Sequence, residues 1–161
     1  MNAPTLDGKT AIHLAIERND TTLISMLTGS HSHVLKTTDA LGRTVLHAAI
    51  ASPRSDDEAE ELLAQLLIVV EEHDHGQSIT KGYRQDIGLG VQSADGSTVL
   101  HLCAEKDFAR CATALMCFPE VDIDALNAAG KSALDVAHSE LMKFTLTRQR
   151  GSPALAGVRT P

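Results

Sequence analysis

Four stretches of the chain repeat the same short order of apolar and polar residues. Each begins with a glycine, has a threonine or serine two residues later and continues with mainly apolar residues: 8–15, 42–49, 96–103 and 130–137. Their glycines are 34, 54 and 34 residues apart, so the middle interval is one period with 20 additional residues. A constant period of this length predicts a structural repeat, and the additional residues predict an insertion.

Each copy predicts a turn followed by a short inner helix. The glycine accepts a positive φ angle at the end of a polar turn, and the hydroxyl residue is placed to cap the helix that follows. The predicted caps are Thr10, Thr44, Thr98 and Ser132, with His13, His47 and His101 at the third helical position of the first three copies. Small apolar residues follow each cap, so the inner helices are expected to approach one another closely.

A second, outer helix is predicted after each of the first three inner helices. The apolar faces are Leu23, Ile24, Met26 and Leu27 in the first unit, and Cys111, Ala112, Ala114, Leu115 and Phe118 in the third. Asp20 is the expected cap of the first outer helix. In the second unit, Ser55 and Glu58 form a capping-box pattern, and the apolar period that follows predicts a helix to about Glu72.

The Gly-x-Thr-x-Leu-His-x-Ala order at this period closely resembles the ankyrin repeat. The resemblance implies an all-α fold: an ankyrin-type helical solenoid of about four units with β-turn or hairpin tips, covering residues 1–148. Units are expected near 5–38, 39–92 with the insertion, 93–126 and 127–148, the last as a degenerate C-terminal cap, with a flexible tail at 149–161. The chain departs from the family at the first helical position, where Ala11, Val45, Val99 and Ala133 replace the usual proline.

Composition and charge narrow the possible functions. The 161 residues are 43% hydrophobic but only 2% aromatic, as expected for a core of small helices. The net charge is −7, although the only charged residues after Glu140 are the basic Lys143, Arg148, Arg150 and Arg159. An acidic array argues against direct nucleic-acid binding. The absence of a long apolar run or a secretory signal, together with three cysteines on apolar positions, predicts an intracellular protein, cytoplasmic or nuclear, that does not bind membranes.

Three patterns raise the question of catalysis or metal binding. The Thr10/His13, Thr44/His47 and Thr98/His101 pairs have nucleophile and base chemistry, but their recurrence in every unit favours a structural role. Gly88 and Gly90 lack the Gly-Lys-Ser/Thr continuation of a phosphate loop. The pairs His31/His33 and His73/His75 could bind zinc, although polar loop residues explain them better. We therefore expect neither an enzyme nor a cofactor, metal site or small-molecule substrate.

The resemblance implies a protein-interaction module that binds a partner protein through its turn tips and the exposed side of its inner helices. Carried over to this sequence, the implied contact residues are Asp7, Lys9, Glu17, Arg18, Leu41, Arg43, Ser52, Asp95, Ser97, Glu105 and Lys106. Because these positions are variable in the repeat and mainly polar here, folding is not expected to require them.

The insertion and the chain's wider context leave further possibilities open. The segment 73–92 contains the adjacent Tyr83 and Arg84, side chains that are frequent at interface hot spots, and it also reads as a tolerated surface loop. Its apolar residues are Ile79, Tyr83, Ile87, Leu89 and Val91, and they predict that the segment either docks on the array or becomes ordered when the partner binds. The alternative function is a regulatory or targeting segment of a longer transcription regulator or enzyme, a possibility hinted at by the start of the array so near Met1.

Overall fold

A computed structural model describes residues 5–28, 35–52, 55–72, 88–118 and 121–151, with 67–72 and 149–151 described as backbone only. Within these ranges the chain forms eight helices. They are α1 Ala11–Glu17, α2 Thr21–Thr28, α3 Val45–Ala51, α4 Asp56–Glu72, α5 Val99–Lys106, α6 Ala109–Leu115, α7 Ala133–Val136 and α8 Glu140–Gly151. The β structure in the described ranges is a single isolated bridge between Thr38 and Thr44. The predicted all-α class is confirmed.

The helices contact one another in two rows. The odd-numbered helices α1, α3, α5 and α7 contact each other in succession, and so do the even-numbered helices. Each odd-numbered helix also contacts the even-numbered helix that follows it. The core lies between the rows and is built from buried aliphatic side chains such as Ile16, Leu46, Leu63 and Leu100. Each pair of helices therefore packs mainly on the pairs beside it.

One turn geometry precedes every odd-numbered helix. In the second unit the Gly42 N–H donates to the Asp39 carbonyl (3.0 Å), and the Asp39 N–H donates to the Arg43 carbonyl (3.0 Å). The corresponding bonds recur in the other three units, and each glycine has a φ angle near +70°. Successive turns are joined by backbone bonds from Ala40 to Asp7, from Ala94 to Leu41 and from Ala128 to Asp95 (2.8–3.2 Å). The four turns thus form one hydrogen-bonded row.

The threonine caps act with the histidines rather than alone. The Thr44 N–H and hydroxyl both lie within hydrogen-bond distance of His47 Nδ1 (3.2 and 2.8 Å), while His47 Nε2 faces the Ser97 carbonyl (3.1 Å). A backbone N–H must donate and a carbonyl must accept, so the neutral ring carries its proton on Nε2. The same arrangement links His13 to Arg43 and His101 to Lys131. Each histidine therefore bonds its own unit to the next.

The outer helices follow the predicted pattern with two exceptions. Asp20 and Ser55 accept bonds from the Leu23 and Glu58 N–H groups, as expected of caps, and α4 reaches Glu72. Leu23 and Met26, predicted to be in the core, are exposed, because α2 buries its opposite side, with Ile24 and Thr28, against its neighbours. Cys117, predicted on an apolar helix position, is exposed because α6 ends at Leu115.

Two observations concern the expected boundaries of the units. Leu89, an expected apolar anchor of the insertion, is 3% exposed and belongs to the described core. It precedes Gly96 by the same seven residues that separate the buried Leu35 from Gly42. The helix α8 continues to Gly151, three residues into the segment expected as a tail. Met142 and Leu146, both buried, give α8 the apolar spacing that keeps it helical.

None of the helices in the described ranges is long and apolar enough to span a bilayer.

Candidate partner-binding face

We call the turn tips together with the exposed side of the odd-numbered helices the inner face. At the tips, Asp7, Leu41 and Asp95 are exposed, and Leu41 retains 55% of its accessible surface. Their backbone carbonyls already accept the N–H groups of the next turn. The tip backbone is therefore fixed while the side chains face solvent, as the sequence predicts.

Asp95 also organises its own turn. The hydroxyls of Ser93 and Ser97 donate to its two carboxylate oxygens, the second at 2.9 Å. The bond from Ser93, with those from Ser97, holds the pKa of Asp95 below its usual value. The carboxylate is thus kept charged and oriented at the tip.

Two ion pairs order the basic residues of the inner face. Lys9 Nζ lies 2.6 Å from Glu17 Oε1, joining the turn of the first unit to the end of α1. Arg43 Nε and Nη2 lie 2.8 and 2.7 Å from Asp39 Oδ2. Burial alone would raise the pKa of Asp39, but the Arg43 side chain and the N–H groups of Arg43 and Leu41 outweigh it and lower that pKa. The Arg43 guanidinium therefore has a defined position.

A cleft of about 310 Å³ lies between the first two units on this face. It is lined by Glu17, Arg43, Ala48, Ala51 and Ser52. Three of these residues were predicted as contacts from the sequence, so the structure brings them together. Its lining thus combines two small alanines with the oppositely charged Glu17 and Arg43.

Two predicted contact residues support the face instead of being exposed on it. Ser52 is 8% exposed, caps the end of α3 and donates from its hydroxyl to the Ala48 carbonyl (3.1 Å). Ser97 is also 8% exposed; its hydroxyl bonds Asp95, and its carbonyl accepts from His47. A serine at the end of a helix or turn satisfies polar groups locally, so both side chains are engaged within the fold and not available at the surface.

The remaining predicted contacts lie at helix ends or outside the described ranges. Arg18 and Glu105 are exposed and Lys106 is half-buried, so all three reach solvent at the ends of α1 and α5. Tyr83 and Arg84 lie outside the described residues. So do the four histidines considered for zinc: His31, His33, His73 and His75. Elsewhere in the chain, the described residues contain no cluster of three potential metal ligands.

The threonine–histidine pairs have a structural role in this geometry. Both ring nitrogens of His47 are engaged, and Thr44 is fully buried beside it. Burial is the main cause that lowers the pKa of His47, and it also lowers that of His13. Nε2 is thus directed at a backbone carbonyl and the Thr44 hydroxyl lies in the interior.

The sequence analysis missed two features. Leu6 and Leu126 are exposed leucines close to the turns, like Leu41, and the signal was an apolar residue in an otherwise polar turn. A second cleft of about 350 Å³ lies between α4 and α6 on the outer row, lined by Glu60, Ala109, Arg110, Thr113, Ala114 and Cys117. Pattern matching within one unit cannot find a cleft that two units share.

No model of a known protein family matches the chain, and a search of curated proteins gave no significant match.

Proposed function

We propose that the chain is an ankyrin-type repeat array whose inner face binds a partner protein without catalysis. Three observations support the repeat assignment: one turn geometry recurs in four units, the helices contact each other in two rows, and histidines join neighbouring units. Arrays in which each unit packs mainly on its neighbours present extended surfaces suited to binding.

The hydrogen-bonded row of turns is the observation that carries the binding proposal. Backbone bonds and side-chain bonds fix four tips at regular intervals, while Asp7, Leu41 and Asp95 remain exposed. A surface that is already ordered loses little conformational entropy when a partner binds. The cleft beside Glu17 and Arg43 adds a concave feature with both charges present.

A pooled substitution tests this proposal. In the inner-face variant, exposed residues whose side chains do not bond the turn backbone are replaced: Glu17→Ala, Arg18→Ala, Leu41→Ser and Glu105→Ala. In a matched outer-face variant, exposed residues of the even-numbered helices are replaced: Thr22→Ala, Met26→Ser, Glu61→Ala and Thr113→Ala. The immobilised wild-type chain is used to capture a partner, whose affinity for all three proteins is then measured by titration.

We expect the inner-face variant to lose binding and the outer-face variant to retain it, with melting temperatures close to that of wild type. Loss of binding only in the outer-face variant would place the site on the other row. Equal binding by all three proteins would show that the inner face is not the contact surface.

A further inference from the structure

The last helix, α8, carries two large apolar side chains on its solvent side. Leu141 and Phe144 are 64% and 63% exposed, whereas Met142 and Leu146 on the same helix are 0% and 1% exposed. The contacts of α8 within the fold are with α6 and α7, and its buried pair provides the apolar part of that packing. The exposed pair is therefore not needed to hold α8 on the array.

Helix geometry places four exposed residues of α8 in one stripe. At about 100° per residue, Glu140, Leu141, Phe144 and Arg148 lie within an arc of about 100°, on the side opposite Met142 and Leu146. Within the stripe, Glu140, Phe144 and Arg148 follow one another at intervals of four residues. Read along the helix, the stripe is acidic, then apolar, then basic.

This order makes the stripe complementary to itself. If a second α8 lies antiparallel across the first with a twofold axis at Phe144, each Glu140 is opposite Arg148 of the partner subunit. The two Phe144 rings then meet at the axis, with Leu141 beside them. A twofold interface requires such self-complementarity, because the same patch serves both subunits. An acidic or a basic partner would match only one end of the stripe.

From this pattern we infer that two copies of the chain associate through an antiparallel pairing of α8 centred on Phe144. The residues of this interface are different from those of the inner face. Because the helix has 12 residues and is about 18 Å long, the contact is smaller than that of a stable dimer. The association is therefore weak and depends on concentration.

The single chain already contains one competing contact. Lys143 Nζ lies 3.1 Å from Glu140 Oε1, and the Glu140 side chain is 92% exposed. Such an exposed pair is weak, so Glu140 can exchange Lys143 for Arg148 of the partner subunit.

Sedimentation equilibrium over a concentration series tests whether the dimer forms and where. We expect wild type to dimerise reversibly and Phe144→Asp to remain monomeric. The matched control is Met26→Asp, which replaces another exposed apolar residue (68% exposed) on the distant α2 and should dimerise like wild type. Monomeric wild type at all concentrations, or a dimer that survives Phe144→Asp, would overturn the inference.

A charge exchange tests the antiparallel register. Glu140→Arg and Arg148→Glu alone should each raise the dissociation constant about tenfold, because each creates two like-charge contacts across the axis. The double variant Glu140→Arg/Arg148→Glu restores opposite charges and should return to near the wild-type value. Circular dichroism and melting temperature verify that each variant is folded. A double variant no stronger than the singles would exclude this pairing even if a dimer exists.

Discussion

The first three units and the fourth unit differ at the third position of their inner helices. In the first three, a histidine bonds the cap of its own unit through Nδ1 and a carbonyl of the next unit through Nε2. In the fourth, Asp135 bonds the N–H and hydroxyl of Ser132 at 2.9 and 2.8 Å. Aspartate reproduces the cap but is too short to bridge two units. In the described residues, histidine therefore occupies this position in the three units that contact a following turn, and aspartate occupies it in the fourth unit.

The glycines show the same division. A Cβ atom on Gly96 would lie 2.5 Å from the Ala128 nitrogen, and one on Gly8 would lie 2.5 Å from the Ala40 nitrogen. At Gly130 the described residues come no closer than 4 Å. All three glycines have a positive φ angle. Glycine in the repeated motif therefore meets two requirements. Every unit needs a residue that accepts a positive φ angle in its turn, and a unit whose turn contacts the next one also needs a residue without a Cβ atom.

Removing a bridging histidine is expected to have the largest effect. His47→Ala removes the acceptor of the buried Thr44 N–H and one donor to the Ser97 carbonyl, which keeps its bonds from Ser93, and it opens a cavity, because His47 is 0% exposed. We expect a loss of roughly 3–5 kcal/mol in the free energy of unfolding. The matched change Asp135→Ala removes an exposed capping residue and should cost about 1 kcal/mol. Urea denaturation of both variants measures the difference. Equal losses would mean that the bridge contributes nothing beyond the cap.

Two glycine substitutions distinguish the cost of a positive φ angle from the cost of a collision between neighbouring units. Gly130→Ala places a residue with a Cβ atom at a positive φ angle and adds no collision. It should lower the free energy of unfolding by about 1–2 kcal/mol. Gly96→Ala adds a collision with the backbone of the next turn, and we expect about 2–4 kcal/mol in total. Thermal and urea unfolding of the two variants provide the comparison. A loss at Gly130 as large as that at Gly96 would show that φ strain alone explains the glycines.

Lowering the pH should weaken the histidine-bridged units. Burial lowers the pKa of His13 and His47 below the ordinary value of 6.5. The unfolded chain therefore binds protons first as the pH falls, and stability present above pH 6.5 decreases below it. Asp39 and Asp95, whose pKa values are also lowered, affect stability only at and below their ordinary value of 3.8.

Urea unfolding at several pH values between about 7.5 and 5 measures this dependence. His47→Gln removes one of the two groups, so its free energy of unfolding should change less steeply with pH than that of wild type. Stability that rose on acidification, or an unchanged slope in His47→Gln, would contradict the proposed cause.

Residues that act within one unit could be predicted from the sequence. The four caps, the turn glycines, the Asp20 cap and the end of α4 at Glu72 depend on local spacing, and local spacing is visible in the chain. The full burial of Leu89 was harder to predict, because Leu89 lies before the repeated motif and only comparison with Leu35 indicates its place in the core. Leu23 and Met26 were assigned to the core because an apolar period does not show whether a neighbouring helix covers that side.

The candidate site was predicted less completely than the fold. Exposure of Asp7, Leu41 and Asp95 follows from their place at turn tips. The burial of Ser52 and Ser97 could not be predicted in this way. Ser52 lies at a helix end, and Ser97 bonds a histidine from the preceding unit. Whether a polar residue binds a partner or satisfies its own backbone is decided by contacts that a single repeat does not contain.

The smallest predicted changes in stability concern an aspartate of one unit that caps the outer helix of the next unit. Phe108 precedes α6 and offers no capping oxygen, but Asp56 of α4 accepts the Arg110 and Cys111 N–H groups at 3.2 and 3.5 Å. By contrast, α8 is capped within its own unit by Ser139, which accepts the Met142 N–H at 3.0 Å. Asp56→Ala should therefore cost about 1–2 kcal/mol.

Asp57→Ala is the matched control for this cap. Both aspartates lie in the first turn of α4, so both variants lose the same favourable interaction with the helix N-terminus. Asp57 pairs with the Arg110 side chain, and the two side chains are 77% and 61% exposed, so this pair should contribute roughly 0–0.5 kcal/mol. Urea unfolding should thus rank Asp56→Ala clearly below Asp57→Ala in stability. Hydrogen exchange at Arg110 and Cys111 should quicken only in Asp56→Ala; the same quickening in both variants would assign the effect to the helix dipole and not to the shared cap.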